Sequence, residues 1–146
     1  MPTVTVNKRA RFDYEIIETF EAGMELKGFE VKSVKNGRVQ LTGSYAVPQN
    51  NELWLLNADI SPYQTKNTTP EYNQRRSRRL LLNRKEIKYL IGKIKEQGLT
   101  IIPIEMYTKG SFVKIKIGLA RSRKKTDKRE LIKKREVERE LRRVTN

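Results

Sequence analysis

Apolar side chains recur along this chain with two different periods. Val39, Leu41, Gly43, Tyr45 and Val47 alternate with polar or small residues, the period of a strand with one buried face. Pro48-Gln49-Asn50-Asn51 predicts a turn, and Trp54, Leu56, Ala58 and Ile60 then line one face of a second strand, which Pro62 ends. A second hairpin joins Leu99–Tyr107 to the alternating Val113, Ile115 and Ile117 through Lys109-Gly110-Ser111. Pro103 inside its first arm marks an edge or a bulge.

The other period is helical. Asn83, with Glu86 three residues on, fits an N-cap and its capping-box partner. Ile87, Leu90, Ile91 and Ile94 then form one apolar stripe, and Gly98 closes the helix. Gly92 sits mid-helix at a cost of about 1 kcal/mol against Ala, which predicts close packing there. Phe29–Lys35 admits two readings: a short helix with Val31 and Val34 inward, or a strand entering a hairpin at Asn36-Gly37. The helix is the preferred one. Short strands with one or two helices predict an α+β fold, mainly β: a small barrel plugged by helices.

Charge changes the picture most. Among 146 residues, 32 are Lys or Arg and 17 Asp or Glu, leaving +15 and a pI near 10.2. Residues 121–146 hold twelve basic and five acidic groups, nearly half of the surplus, with few large apolar residues. They are expected to form a tail, disordered when free, on a folded body of residues 1–120; Asp127 and Glu130 could cap a helix within it. A surplus of this size most often serves a polyanion, and nucleic acid is the first candidate. The bland alternative is a merely soluble basic surface.

The chain has no His and no Cys. Thiol nucleophiles, disulfides and thiolate metal sites are excluded, as are Ser-His-Asp and Cys-His catalysis. No phosphate-loop or dinucleotide fingerprint occurs. A non-enzymatic protein without cofactor or metal is expected. Residues 1–11 lack the apolar core of a signal peptide, and no apolar run approaches the roughly 18–20 residues of a membrane span. A cytoplasmic location, with no membrane partner, is therefore expected.

Three basic groupings are candidate RNA contacts. Asn7, Lys8, Arg9 and Arg11 precede Phe12 and Tyr14, aromatics that can stack on exposed bases but more simply pack in a core. Arg75, Arg76, Arg78 and Arg79 crowd into five residues and need a nearby anion or wide exposure. They follow a polar, loop-like stretch from Gln64 to Gln74, and a solvated charge run is the alternative. Arg121, Arg123, Lys124, Lys125, Lys128 and Arg129 belong to the tail. A basic amphipathic helix on a membrane is disfavoured there by the thin apolar face.

Read in order, these segments resemble the SmpB (small protein B) family, the tmRNA-binding proteins of bacterial trans-translation. The matching text includes Asn7-Lys8-Arg9-Ala10-Arg11, Glu18-Thr19-Phe20-Glu21-Ala22-Gly23 and Glu30-Val31-Lys32-Ser33. It continues through Leu53-Trp54-Leu55, Ile60-Ser61-Pro62-Tyr63, residues 78–83, Ile117-Gly118-Leu119-Ala120 and Asp127-Lys128-Arg129. The resemblance implies an antiparallel β-barrel of OB-like topology with flanking helices. It implies binding to the tRNA-like domain of tmRNA, one-to-one as a monomer, and delivery to stalled ribosomes. The tail would occupy the empty decoding centre of the small subunit and its mRNA channel.

Positions matching the family's RNA contacts are Asn7, Glu21, Leu81 and Lys114; matching tail positions are Lys124, Asp127, Lys128 and Arg129. Three departures stand out. Thr126 replaces the family's frequent His or aromatic, Ser122-Arg123 replaces Gly-Lys, and the loop before Leu80 is richer in Arg and lacks the usual Asp-Pro. A general OB-type nucleic-acid-binding or ribosome-associated protein without tmRNA preference is the alternative.

Overall fold

The computed structural model describes residues 3–62 and 71–145. In chain order these form β1 (Thr3–Val6), α1 (Ala10–Asp13), β2 (Tyr14–Met24), α2 (Gly28–Lys35), β3 (Val39–Gln40), β4 (Tyr45–Gln49) and β5 (Glu52–Leu56). There follow β6 (Asp59–Ile60), β7 (Arg78–Leu81), α3 (Arg84–Gln97), β8 (Thr100–Lys109), β9 (Phe112–Ser122) and α4 (Lys125–Thr145). All strand pairings are antiparallel. Those of β8 with β4, β4 with β5, β5 with β7, β7 with β2, β2 with β9 and β9 with β8 return to their start, making a small barrel. β1 extends the sheet on β8, and β3 with β6 forms a separate ribbon. This is the mainly β, OB-like α+β architecture expected.

One apolar core fills the barrel. Leu53, Leu55, Leu80, Ile101, Met106, Ile115 and Ile117 point into it, and Val34 of α2 and Leu90 of α3 enter from the flanking helices. Helix α3 matches its prediction closely. The Asn83 side chain accepts from the Glu86 N–H at 2.9 Å, and Gly98 caps the far end with φ +63°. The 28–35 segment resolves as a helix, and Pro103 adjoins a register shift, the bulge foreseen. The 109–111 turn forms with Gly110 at φ +64°, a conformation that needs glycine.

The first hairpin departs from expectation in phase. Val39 and Leu41 are buried, but a turn with Gly43 at φ +81° separates β3 from β4, after which Ala46, not Tyr45 or Val47, faces inward. In β5 the buried residues are Leu53 and Leu55; Trp54 and Leu56 face outward and are half-exposed. Asn57, at φ +64°, shifts the phase again, so that Ala58 and Ile60 are buried as expected. A single left-handed residue thus joins two strands whose inward positions have opposite parity. Elements not foreseen from the sequence include β1, the one-turn α1 and β7.

The body also runs past its expected end. β9 continues to Ser122, pairing with Tyr14, and the Arg123 N–H donates to the Asp13 carbonyl at 2.9 Å. Helix α4 then starts at Lys125. Residues 63–70 lie outside the described structure, and with them most of the loop predicted from Gln64 to Gln74.

Candidate nucleic-acid interface

The predicted residues fall into three places. The first is an exposed patch on the outside of the barrel. Strand register puts Leu81 opposite Gly23, Gly23 opposite Lys114, and Lys114 opposite Tyr107, one row across β7, β2, β9 and β8. The adjacent row on that face contains Glu21, Lys116 and Glu105. Glu21, Leu81 and Lys114, far apart in sequence, are therefore neighbours, and Leu81 is 44% exposed in spite of its apolar side chain. Gly23 keeps the row flat: a Cβ there would lie 3.3 Å from the Leu81 Cβ.

Glu21 is held in place from the next strand. Its carboxylate accepts from the Tyr107 hydroxyl and faces the Lys109 ammonium at 3.6 Å. The Tyr107 hydrogen bond, against the opposing effect of burial and with help from Lys109 and Lys114, holds Glu21 below the usual carboxylate range. Burial and the same hydrogen bond push the Tyr107 phenol up. The patch thus offers a fixed anion for base edges or ribose hydroxyls, beside cations for phosphates. Tyr107, Lys109 and Lys116 were missed from sequence. The signal was available, because the alternation that turns Lys114 outward also turns Lys116 outward, and the hairpin register puts Tyr107 beside them.

Glu21 and Leu81 also border a groove of about 1120 Å³ between the end of β7 and α3. Arg84, Lys88 and Lys95 line it, and among the described residues none of the three has an acidic partner. Gly92 lines the same groove. A Cβ at that position would meet nothing within 4 Å, so the close packing expected there is absent. The missing side chain deepens the groove instead.

The second place is the junction of α1 with the tail. Lys8, Arg9 and Arg11 are exposed there, whereas Asn7 is buried, its amide donating to the Pro103 carbonyl at 3.0 Å. Asn7 therefore ties the N-terminal segment to β8. The Phe12 ring has Arg9 Cζ at 4.7 Å, Arg135 Cζ at 5.6 Å and Lys128 Nζ at 5.9 Å from its centroid. Asp13 takes Arg9 and Lys128, each at 3.2 Å. Burial raises the Asp13 carboxyl, but the hydrogen bonds and charges of Lys128 and Arg9 together outweigh it and leave it lowered. Arg121, Lys124 and Arg129 are exposed, and Arg123 half-exposed, along the root of the tail. The Arg123 Nε donates to the Arg11 carbonyl at 3.3 Å. The side chains of Lys125, Thr126 and Asp127 lie outside the described structure.

The third place is the interior, and it corrects one assignment. Arg78, a candidate RNA contact, is fully buried. Its Nε and Nη2 donate to Glu30 Oε2 at 2.9 and 2.6 Å, and Nη1 to the Ala58 carbonyl at 2.8 Å. Further bonds go to the Arg76 and Gln74 carbonyls and the Tyr72 hydroxyl. Nothing of that guanidinium is left for a phosphate. Burial alone would raise Glu30, but Arg76, the Lys27 N–H and Arg78 bring it down to about 2. Burial and then Glu30 push Tyr72 up to about 12. The other arginines of the run are also met from within: Arg75 by Asp59 at 3.5 Å, Arg79 by Glu25 at 2.8 Å and Glu52 at 3.0 Å. The anion that the run requires is the protein itself.

The family model described as SmpB protein matches residues 4–146. An SsrA-binding protein of Gloeothece citriformis is 51% identical over 97% of this chain and 91% of its own length. Those of Trichodesmium erythraeum and Synechocystis are 51% and 46% identical over 97% of the chain, covering 90% and 92% of their own lengths. A solved chain described as "tmRNA-SmpB: a journey to the center of the bacterial ribosome" superposes with a TM-score of 0.69 at 44% identity, covering 86% of this chain and 87% of its own. The chain belongs to the SmpB family.

Proposed function

We propose that the chain is a non-enzymatic RNA-binding adaptor for trans-translation. It binds the tRNA-like domain of tmRNA and delivers it to stalled ribosomes in the cytoplasm. One observation carries this: residues matched to the family's RNA contacts, Glu21, Leu81 and Lys114, meet on one exposed barrel face. Lys114 meets phosphate, Glu21 accepts from base edges or ribose hydroxyls, and Leu81 gives an apolar contact. Among the described residues no helix is long and apolar enough to cross a membrane.

The tail has a separate task, to lie in the empty decoding centre and mRNA channel. Its helix supports this reading, because Ile132, Val137 and Leu141 are 44%, 55% and 59% exposed, so the barrel does not bury them. A segment with so little apolar anchorage can leave the body and take up a ribosomal RNA wall.

The test is a competition between the tmRNA tRNA-like domain and an unrelated structured RNA at two salt concentrations. The tRNA-like domain should win, with a log–log salt slope of about −0.7 to −0.9 per neutralised phosphate. Equal affinity for both RNAs would leave only a general nucleic-acid-binding protein.

A further inference from the structure

Among the described residues Phe112 is the most exposed large apolar side chain, at 69%. It stands at the start of β9, opposite Lys109 across the two-residue turn Gly110-Ser111. Its strand neighbours of inward parity, Val113, Ile115 and Ile117, are buried, so the ring belongs to the outer face with Lys114 and Lys116. The Lys114 Nζ lies 5.9 Å from its centroid. Core packing makes no demand for an aromatic here, and a threonine would satisfy the strand equally well.

The surroundings decide what such a ring can meet. A protein partner requires a contiguous apolar patch. By register, Phe112 is framed by Lys109, Lys114 and the polar turn, and the fixed Glu21 carboxylate is bonded to Tyr107 and paired with Lys109 of the same hairpin. An isolated aromatic plane between cations, on a hairpin fixed by pairing along its length, matches a nucleotide: ring for base, ammonium for phosphate.

We propose that Phe112 is a stacking platform for one unpaired base of the bound RNA, with Lys109 and Lys114 receiving the flanking phosphates. This rests on the RNA-binding reading above. It adds a base-stacking residue to a patch otherwise made of polar contacts and Leu81. Stacking tolerates any base, so the contribution is to affinity and to the position of the loop more than to sequence choice.

The experiment uses the full chain, as wild type, Phe112→Leu and Phe112→Trp, with tRNA-like RNA carrying 2-aminopurine at one unpaired position at a time. The leucine variant should bind about tenfold more weakly, the size of one base–aromatic stack, and the tryptophan variant should recover that loss. At one position the wild type should quench 2-aminopurine, and the leucine variant should not. Melting temperatures should agree, since the ring is on the surface.

Equal affinity of the leucine variant overturns the proposal. So does weaker binding without any position whose quenching depends on the ring, or a defect seen only against ribosomal protein. The adaptor reading fails separately, by the wild type showing no preference for the tRNA-like domain. The ratio between wild type and leucine variant is still read on the competing RNA.

Discussion

The chain has two arginine-rich stretches of similar appearance and opposite use. Between Arg75 and Arg79 each guanidinium has an acid of the same protein, and Arg78 is sealed inside the barrel with Glu30. From Arg121 to Arg143 twelve basic residues face five acids, and among the described contacts to the body are the Phe12 ring, the Asp13 carboxylate and the carbonyls of Arg11 and Asp13 in α1. Local charge density is thus a poor guide to a partner. What separates the stretches is distant sequence: Glu25, Glu30, Glu52 and Asp59 all precede the first stretch and fold back onto it. Among the described residues the second is met from the body by Asp13, which Arg9 also pairs.

The most decisive way to separate the two is to remove the second. Because β9 runs to Ser122 and Arg123 bonds to Asp13, the cut belongs after Lys124. A chain truncated there should bind the tRNA-like RNA within about twofold of wild type while losing peptide tagging on stalled ribosomes altogether. A concurrent loss of RNA affinity would show that the tail belongs to the RNA-binding surface.

Arg78→Ala attacks the first stretch. It removes from buried Glu30 its one fully buried cation, leaving half-exposed Arg76, a change that costs about 3–5 kcal/mol, read by urea denaturation. Glu30→Gln in the same chain should restore part of this, since a neutral amide is cheaper to leave unpaired. If Arg78→Ala melts like wild type but loses RNA affinity, the buried network is not what the arginine serves.

Acid gives an independent reading of the same pair. Glu30 has its folded value near 2, against an ordinary 4.5, so it binds its proton more readily when unfolded. Its stabilisation is complete above about pH 4.5 and disappears as pH falls towards 2, on the order of 3 kcal/mol. Urea midpoints between pH 6 and pH 3 should fall for the wild type and much less for Glu30→Gln.

These differences mark what the sequence could and could not disclose. Helix α3 and the second hairpin are legible because cap, stripe and turn residues act within a few positions of one another. The inward face of β5 is not, because the φ of Asn57 decides the phase and no neighbour announces it. Glu30 is the clearest case. Between Phe29 and Val31 it reads as an ordinary surface acid, and its partner lies 48 residues away. The outer patch was partly legible: the family resemblance named Glu21, Leu81 and Lys114, but only strand register shows that they are neighbours and that Phe112 stands on the same face.

The smallest expected effect concerns how the tail rests on the body. Phe12 has three cations near its ring, two of them, Lys128 and Arg135, from α4. Contacts of this kind at an exposed site are worth about 0.5–1 kcal/mol, and the Lys128–Asp13 pair adds no more than that. Phe12→Leu keeps an apolar side chain on α1 while removing the π-face. It should leave the barrel's melting temperature unchanged and accelerate amide hydrogen exchange within 125–145 by about three- to fivefold, since the variant removes the ring that Lys128 and Arg135 face. Asp13→Asn should act in the same direction, and the double variant should exceed either alone. If tail exchange stays at the wild-type rate in all three, the helix is not held by α1. The weak anchorage that distinguishes the second arginine-rich stretch from the first would then lie elsewhere on the barrel.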